Sequence, residues 1–359
     1  MKRKIAVLWM AMVMLGVTAC GNEADQAPDT SEQTVQEGAQ GTEEETLAEE
    51  EVADSAGTPA ASGDALGEPV EITGEYTIGL VIDNNSDQFN HEEGEALKAL
   101  AEAYASADIT VAVADGGGDV MQQNQCVEDF INKRVDLIMI IPIDATGNIP
   151  AAREAIEAGI PVVTLDATID LEDDLMYYVG ASDYNAGKAQ AEYLAGVLPE
   201  NAQVLVIPGQ EGMSNAQNRR DGAVETLTEL RPDVKFLAEQ PGDWDEAKCM
   251  DIVEDWCQAY PEFDAVICGG DSMALGAAEA LEQAGRLDGV YITGVDCIDT
   301  VVEWMKEGKI SMSAQHTAAM CAEKGFNYGL HVLAGENPED YIWEYVAVNK
   351  ENVNEFYPD

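Results

Sequence analysis

Nine side chains at the ends of short apolar runs have the types needed to grip a small hydroxyl-rich molecule. Asp83 and Asp87 follow the run Tyr76-Thr77-Ile78-Gly79-Leu80-Val81-Ile82, and Phe89 and Asn90 stand just beyond them. Asp166 ends Pro161-Val162-Val163-Thr164-Leu165, Asp296 ends Tyr291-Ile292-Thr293-Gly294-Val295, and Gln315 ends a run starting near Ile310. Arg219 lies in a helical segment after the loop Pro208-Gly209-Gln210-Glu211-Gly212, and Trp244 follows Gln240-Pro241-Gly242-Asp243. Carboxylates accept hydrogen bonds from hydroxyls, a guanidinium donates several in a fixed fork, and an amide does both. An aromatic face covers the apolar side of a sugar ring. Hydrogen bonds to charged groups contribute roughly 1.5 to 3 kcal/mol each, so a few of them can hold a small ligand after ordering costs. Each residue alone also has an ordinary structural use: an Asp after a strand caps the next helix, and a Trp beside a loop packs in a core.

These positions need elements to gather them. Further apolar runs occur at 109–114, 136–141, 203–207, 234–238, 265–268 and 290–294, each beside a helix-period segment. In the first such segment Leu97, Leu100, Ala101 and Tyr104 fall at i, i+3, i+4 and i+7, one apolar stripe to lay on a sheet. Continuous apolar runs are the mark of parallel strands buried on both faces. Parallel pairs need right-handed crossovers, and some ten strand–helix units exceed one modest sheet. The expected fold is therefore α/β, with two Rossmann-like doubly wound parallel-sheet lobes and ligands bound beyond the carboxyl ends of the strands.

The 359 residues suffice for two lobes and a tail. Acidic residues outnumber basic ones 69 to 18, a formal net charge of -51. Nucleic acid and anionic surfaces are repelled by such a chain, so no nucleic-acid partner is expected. Lys2, Arg3 and Lys4 precede the apolar stretch Ile5 to Leu15, as in a secretory signal. Val17-Thr18-Ala19-Cys20 resembles a bacterial lipobox, which makes Cys20 the expected lipidation site and anchors the chain outside the cytoplasmic membrane. Between Gly21 and Glu75 there are 16 acidic residues and no lysine or arginine, the composition of a disordered tether. Cys126, Cys249, Cys257, Cys268, Cys297 and Cys321 show no metal-ligand spacing and read as free, buried thiols; no metal or cofactor is expected.

The body from Tyr76 to Tyr357 resembles the ribose-binding, type I periplasmic-binding-protein family. The resemblance is carried by Asp271-Ser272-Met273-Ala274-Leu275-Gly276-Ala277, Ile160 through Asp166, Gly294-Val295-Asp296, Arg219-Arg220-Asp221-Gly222, Gln240 through Asp245, and Ala314-Gln315. It implies that Asp166, Arg219, Asp296 and Gln315 hydrogen-bond hydroxyls while Phe89 and Trp244 sandwich the ring. It also implies departures from ribose binders, with Asp87 for an Asn, Asn90 for a second aromatic, Ile141 for an Asn, Ala167 for an Arg and Gly270 for an Asn. These point away from ribose toward a larger or differently hydroxylated ligand. By this resemblance 1–20 is signal peptide, 21–75 tether, 76–182 plus 316–344 lobe one, and 183–315 plus 345–359 lobe two. Crossovers near Ser182, Gln315 and Trp343 form the hinge. The implied protein is a monomer that hands a small neutral polar ligand to an ABC permease.

The same kind of body also serves other outputs. A transcription regulator would carry a basic helix-turn-helix where this chain has an export signal and an acidic tether. An enzyme would carry a phosphate-cradling or nucleophile motif, which Gly116-Gly117-Gly118 and Gly269-Gly270 do not make; the chain is read as not an enzyme. A sensor docking on a chemoreceptor or kinase, or a binder of a nucleoside or quorum signal, would use the same closing motion.

Overall fold

The computed structural model describes residues 64–358; the signal segment, Cys20 and most of the expected tether lie outside them. A 3-10 turn at Asp64–Gly67 opens the described chain. The first sheet takes β1 (Glu75–Ile82), β2 (Asp108–Asp115), β3 (Leu137–Ile140), β4 (Val162–Leu165), β5 (Met176–Ala181) and β11 (Tyr341–Trp343), in the order β11-β5-β4-β3-β1-β2. The second takes β6 (Gln203–Ile207), β7 (Lys235–Glu239), β8 (Ala265–Cys268), β9 (Tyr291–Asp296), β10 (Met312–Gln315) and β12 (Val346–Asn349), in the order β12-β10-β9-β8-β6-β7. Every pairing is parallel except that of the edge strand β12 with β10.

Alternation within the strands explains why each sheet is covered twice. In β3, Leu137 and Met139 enter one hydrophobic cluster and Ile138 and Ile140 another. In β8, Val266 and Cys268 face one cluster while Ala265 and Ile267 face a second. Each such side chain, fully buried, stabilises by ~1.5–3 kcal/mol, and only helices on both faces can supply that burial.

The helices between strands are α1 (Gln88–Ala103), α2 (Val120–Lys133), α3 (Ile149–Glu157), α4 (Asp183–Val197), α5 (Ser214–Leu230), α6 (Glu246–Ala259), α7 (Asp271–Gln283), α8 (Asp299–Glu307) and α9 (Ala318–Leu333), with a last turn, α10 (Val353–Phe356). The chain passes between the sheets three times: between β5 and β6, between β10 and α9, and between β11 and β12.

The segment 64–74 departs from the free tether expected through residue 75. Asn327 Nδ2 donates to the Gly67 carbonyl at 2.7 Å, Tyr104 Oη donates to that of Val70 at 2.7 Å, and Ile72 is buried in the first core. Leu66, Val70 and Ile72 supply the apolar surface that the upstream acidic stretch lacks, so the folded body begins before β1.

Candidate functional site

The two sheets present their carboxyl ends to one cavity. Its lining includes Asp83 and Asp87 after β1, Phe89 and Asn90 at the start of α1, Ile141 after β3 and Asp166 after β4. From the second lobe come Met213, Asn215 and Arg219 around α5, Trp244, Gly270, Ser272, Met273 and Asp296, with His316 at the crossover. Together they leave about 480 Å³ free of protein atoms, a figure that includes the open mouth. The lobes meet across that mouth, where Ala145 N–H donates to the Gly212 carbonyl at 3.0 Å and Thr168 N–H donates to Ser214 Oγ at 2.7 Å.

Eight of the nine residues expected from the sequence thus share one cavity. Asp166 and Asp296, from different sheets, are joined through His316, whose Nε2 lies 3.2 Å from Asp166 and whose Nδ1 lies 3.8 Å from Asp296. Gln315 is the exception and corrects the expectation for that position. Its Nε2 donates to Tyr357 Oη at 2.8 Å, which ties it to the C-terminal segment, and it does not line the cavity. The lining position is the next residue, His316, where the chain leaves β10 for the crossover. Of the departures noted from ribose binders, Ile141 and Gly270 line the cavity and Ala167 does not.

Local packing fixes each polar group. Asp87 caps α1, accepting from Asn90 N–H at 3.1 Å and Asn90 Nδ2 at 3.3 Å, so it serves as cap and as cavity wall at once. Arg219 is placed by a close crossing of α4 and α5, where a Cβ on Gly187 would lie 1.9 Å from the Arg219 carbonyl oxygen and one on Gly222 2.0 Å from that of Tyr184. That approach brings Arg219 Nε to 2.8 Å from Asp183, while its other nitrogens donate to the Gly269 carbonyl and to Tyr345 Oη, each at 3.0 Å. The Trp244 ring lies over Gly209, where a Cβ would come within 2.1 Å of it, and its Nε1 meets Met213 Sδ at 3.0 Å. Phe89 stacks on the His316 imidazole, with centroids 5.4 Å apart and planes 11° from parallel.

His316 lines the cavity without having been expected there from the sequence. Burial opposes its charge, but the Asp166 carboxylate and the hydrogen bonds to Asp166 and Asp296 prevail and push it up to about 9. Burial likewise works to raise Asp166, and the His316 charge overcomes it and holds the group below its ordinary value. Behind them Glu93, fully buried, is pushed well up by burial and then by the charge of Asp166 and the hydrogen bond with it, so it stays protonated. Asp166, His316 and Cys321 lie close enough to ligate an ion. Burial and neighbouring carboxylates keep the thiol protonated, however, and a doubly protonated imidazole offers no lone pair. The charged link between the lobes is Asp166–His316–Asp296, and Cys321 packs beside it as a neutral thiol. All six cysteines among the described residues are unpaired.

The family profile described as a periplasmic binding protein domain matches residues 78–337. The D-ribose/D-allose-binding protein of Pseudomonas aeruginosa is 30% identical, over 73% of this chain and 83% of its own length. A putative rhizopine-binding protein of Rhizobium meliloti is 28% identical, over 75% of this chain and 89% of its own. Among solved structures, an ABC transporter solute-binding protein from Bacillus halodurans with bound myo-inositol superposes with a TM-score of 0.74 at 30% identity, over 80% of this chain and 99% of its own.

Proposed function

We infer the function of this chain from the family it belongs to, the periplasmic binding protein domain family, together with the cavity between its lobes: it is the solute-binding component of an ABC importer that closes on a sugar or related polyol. The observation that carries this is the convergence, from both sheets, of hydrogen-bonding charges and two aromatic faces on one cavity. Asp83, Asp87, Asn90, Asp166, Arg219, Asp296 and His316 bind hydroxyls or other polar groups, and Phe89 and Trp244 flank the ring. The relatives named for ribose, allose and inositol support a ligand of this size and polarity.

Binding and release follow from the three crossovers, which let the lobes part without breaking either core. A ligand touching both walls favours the closed form by the contacts it makes only there. Nothing in this cycle makes or breaks a covalent bond, so the protein acts by capture and presentation rather than catalysis. The lipobox-like Cys20 would hold the monomeric body at the outer face of the cytoplasmic membrane, within reach of the permease.

A thermal-shift screen of the purified chain against pentoses, hexoses, cyclitols and nucleosides tests the reading, because a ligand bound only by the native state raises Tm. A sugar or cyclitol that raises Tm in the wild type and not in Asp296→Ala supports it. A shift by nucleosides alone, or equal shifts in both proteins, would overturn it.

A further inference from the structure

The charges in the cavity do not balance. Four carboxylates, Asp83, Asp87, Asp166 and Asp296, line it against one guanidinium and one imidazole. The guanidinium of Arg219 is already neutralised from outside the lining by buried Asp183 at 2.8 Å, and lies no closer than 3.8 Å to Asp296. The His316 imidazolium pairs with Asp166. Among the described residues, Asp83 and Asp87, both on the first lobe, therefore face the cavity with no ion pair, and Asp296 has two cations at 3.8 Å. Asp83 is 3% exposed, and among the described residues its one hydrogen bond is from the adjacent Asn84 N–H, which leaves Oδ2 free.

Resting on the polyol reading of the site, we propose that the ligand carries a protonated amine, an amino sugar or aminocyclitol, and that the ammonium sits against Asp83 and Asp87. A neutral polyol can exchange hydrogen bonds with these two carboxyls, but it brings no charge to offset the cost of burying either one ionised. An ammonium returns both a charge and three donors. The electrostatics agree: Asp83 is pushed up by burial and then by Asp87 and Asp115, and Asp87 is raised to about 6 by burial first, with the Asp296 and Glu92 charges adding to it. Both carboxyls are held toward the protonated form, and a ligand ammonium would supply the charge that favours their ionised form.

The test is calorimetric titration of the full chain with matched series: aminodeoxy-inositol against myo-inositol, and D-glucosamine and D-galactosamine against their neutral parents and N-acetyl forms. The expected result is that a free amine binds at least about tenfold tighter than its neutral and N-acetylated partners. In Asp87→Asn, which keeps a helix-capping side chain, the ratio of amine to neutral affinity falls toward one. Asp83→Asn supplies the same comparison should that variant unfold. Neutral parents that bind as tightly as the amines would overturn the proposal and leave the polyol reading standing; no binding by either series would remove both.

Discussion

Replacing His316 by Gln removes the one buried cation that touches carboxylates from both lobes, and the structure sets how large the effect should be. In the folded protein His316 holds its proton up to about 9, against 6.5 for an unperturbed imidazole. At 1.36 kcal/mol for each tenfold change in proton affinity, that gap is worth on the order of 3 kcal/mol. The folded state binds the proton more tightly than the unfolded chain, so the contribution is complete below about pH 6.5. It decays as pH rises, and most of it is gone by the folded-state value near 9. Urea unfolding of the wild type between these limits should therefore lose on the order of 2–3 kcal/mol that His316→Gln does not lose. The difference between the two profiles isolates His316 from His91, His331 and the α-amino group, which the proteins share. Parallel profiles, or a wild type flat across the window, would show that the imidazole is neutral in the fold and that Asp166 and Asp296 are not coupled through it.

Two further substitutions separate cavity walls from scaffold. Gly209→Ala places a methyl where the Trp244 ring now lies, 2.1 Å from its carbons, and displacing the ring should cost ~1–3 kcal/mol, read as weaker titration of the screened ligand and an altered indole emission. An unchanged Kd and spectrum would remove Trp244 from the ring-covering role. Gln315→Ala breaks the bond to Tyr357 and should lower unfolding stability by ~1 kcal/mol while leaving ligand affinity where it was. A large affinity loss would return Gln315 to the site.

The strands most visible in the sequence are those whose runs are apolar on both faces, β1, β3, β4, β6, β8 and β9, found within a residue or two of their observed ends. β5 was not read, because Met176-Tyr177-Tyr178-Val179-Gly180-Ala181 follows an acidic loop and mixes aromatics with a glycine. Its aromatic content was the available signal. β11 and β12 are edge strands of three and four residues, too short to carry a period. At the site, strand-end position sufficed to gather Asp83, Asp166 and Asp296, because a doubly wound sheet sends all its carboxyl ends to one side. The Gln315 and His316 assignment required the position of Tyr357, 42 residues further on, which no local pattern reveals. A single His among three in the chain likewise gives no hint of being enclosed by Phe89, Trp343 and Tyr345.

Backbone strain marks the same place independently. Asp166, Trp244 and Asp296 all have φ between +58° and +120° although none is a glycine, and Asp243 and Cys297 beside them share the left-handed region. Such conformations cost on the order of 1–3 kcal/mol each and persist only where surrounding structure enforces them. Arg134, by contrast, uses positive φ to end α2, an ordinary cap. At the strand ends, reversal of φ turns a side chain away from the direction the pleat would give it and toward the crevice beyond the sheet. Both lobes carry this strain, yet the bonds from Ala145 to Gly212 and from Thr168 to Ser214 that join them across the mouth contribute only ~0.5–1.5 kcal/mol each. Those two bonds alone are a small reward for closing, and on the proposed reading a guest that meets the aimed carboxyls of both walls would add to them. On the proposed reading, that division of work would let the closed shape report occupancy to a partner in the membrane.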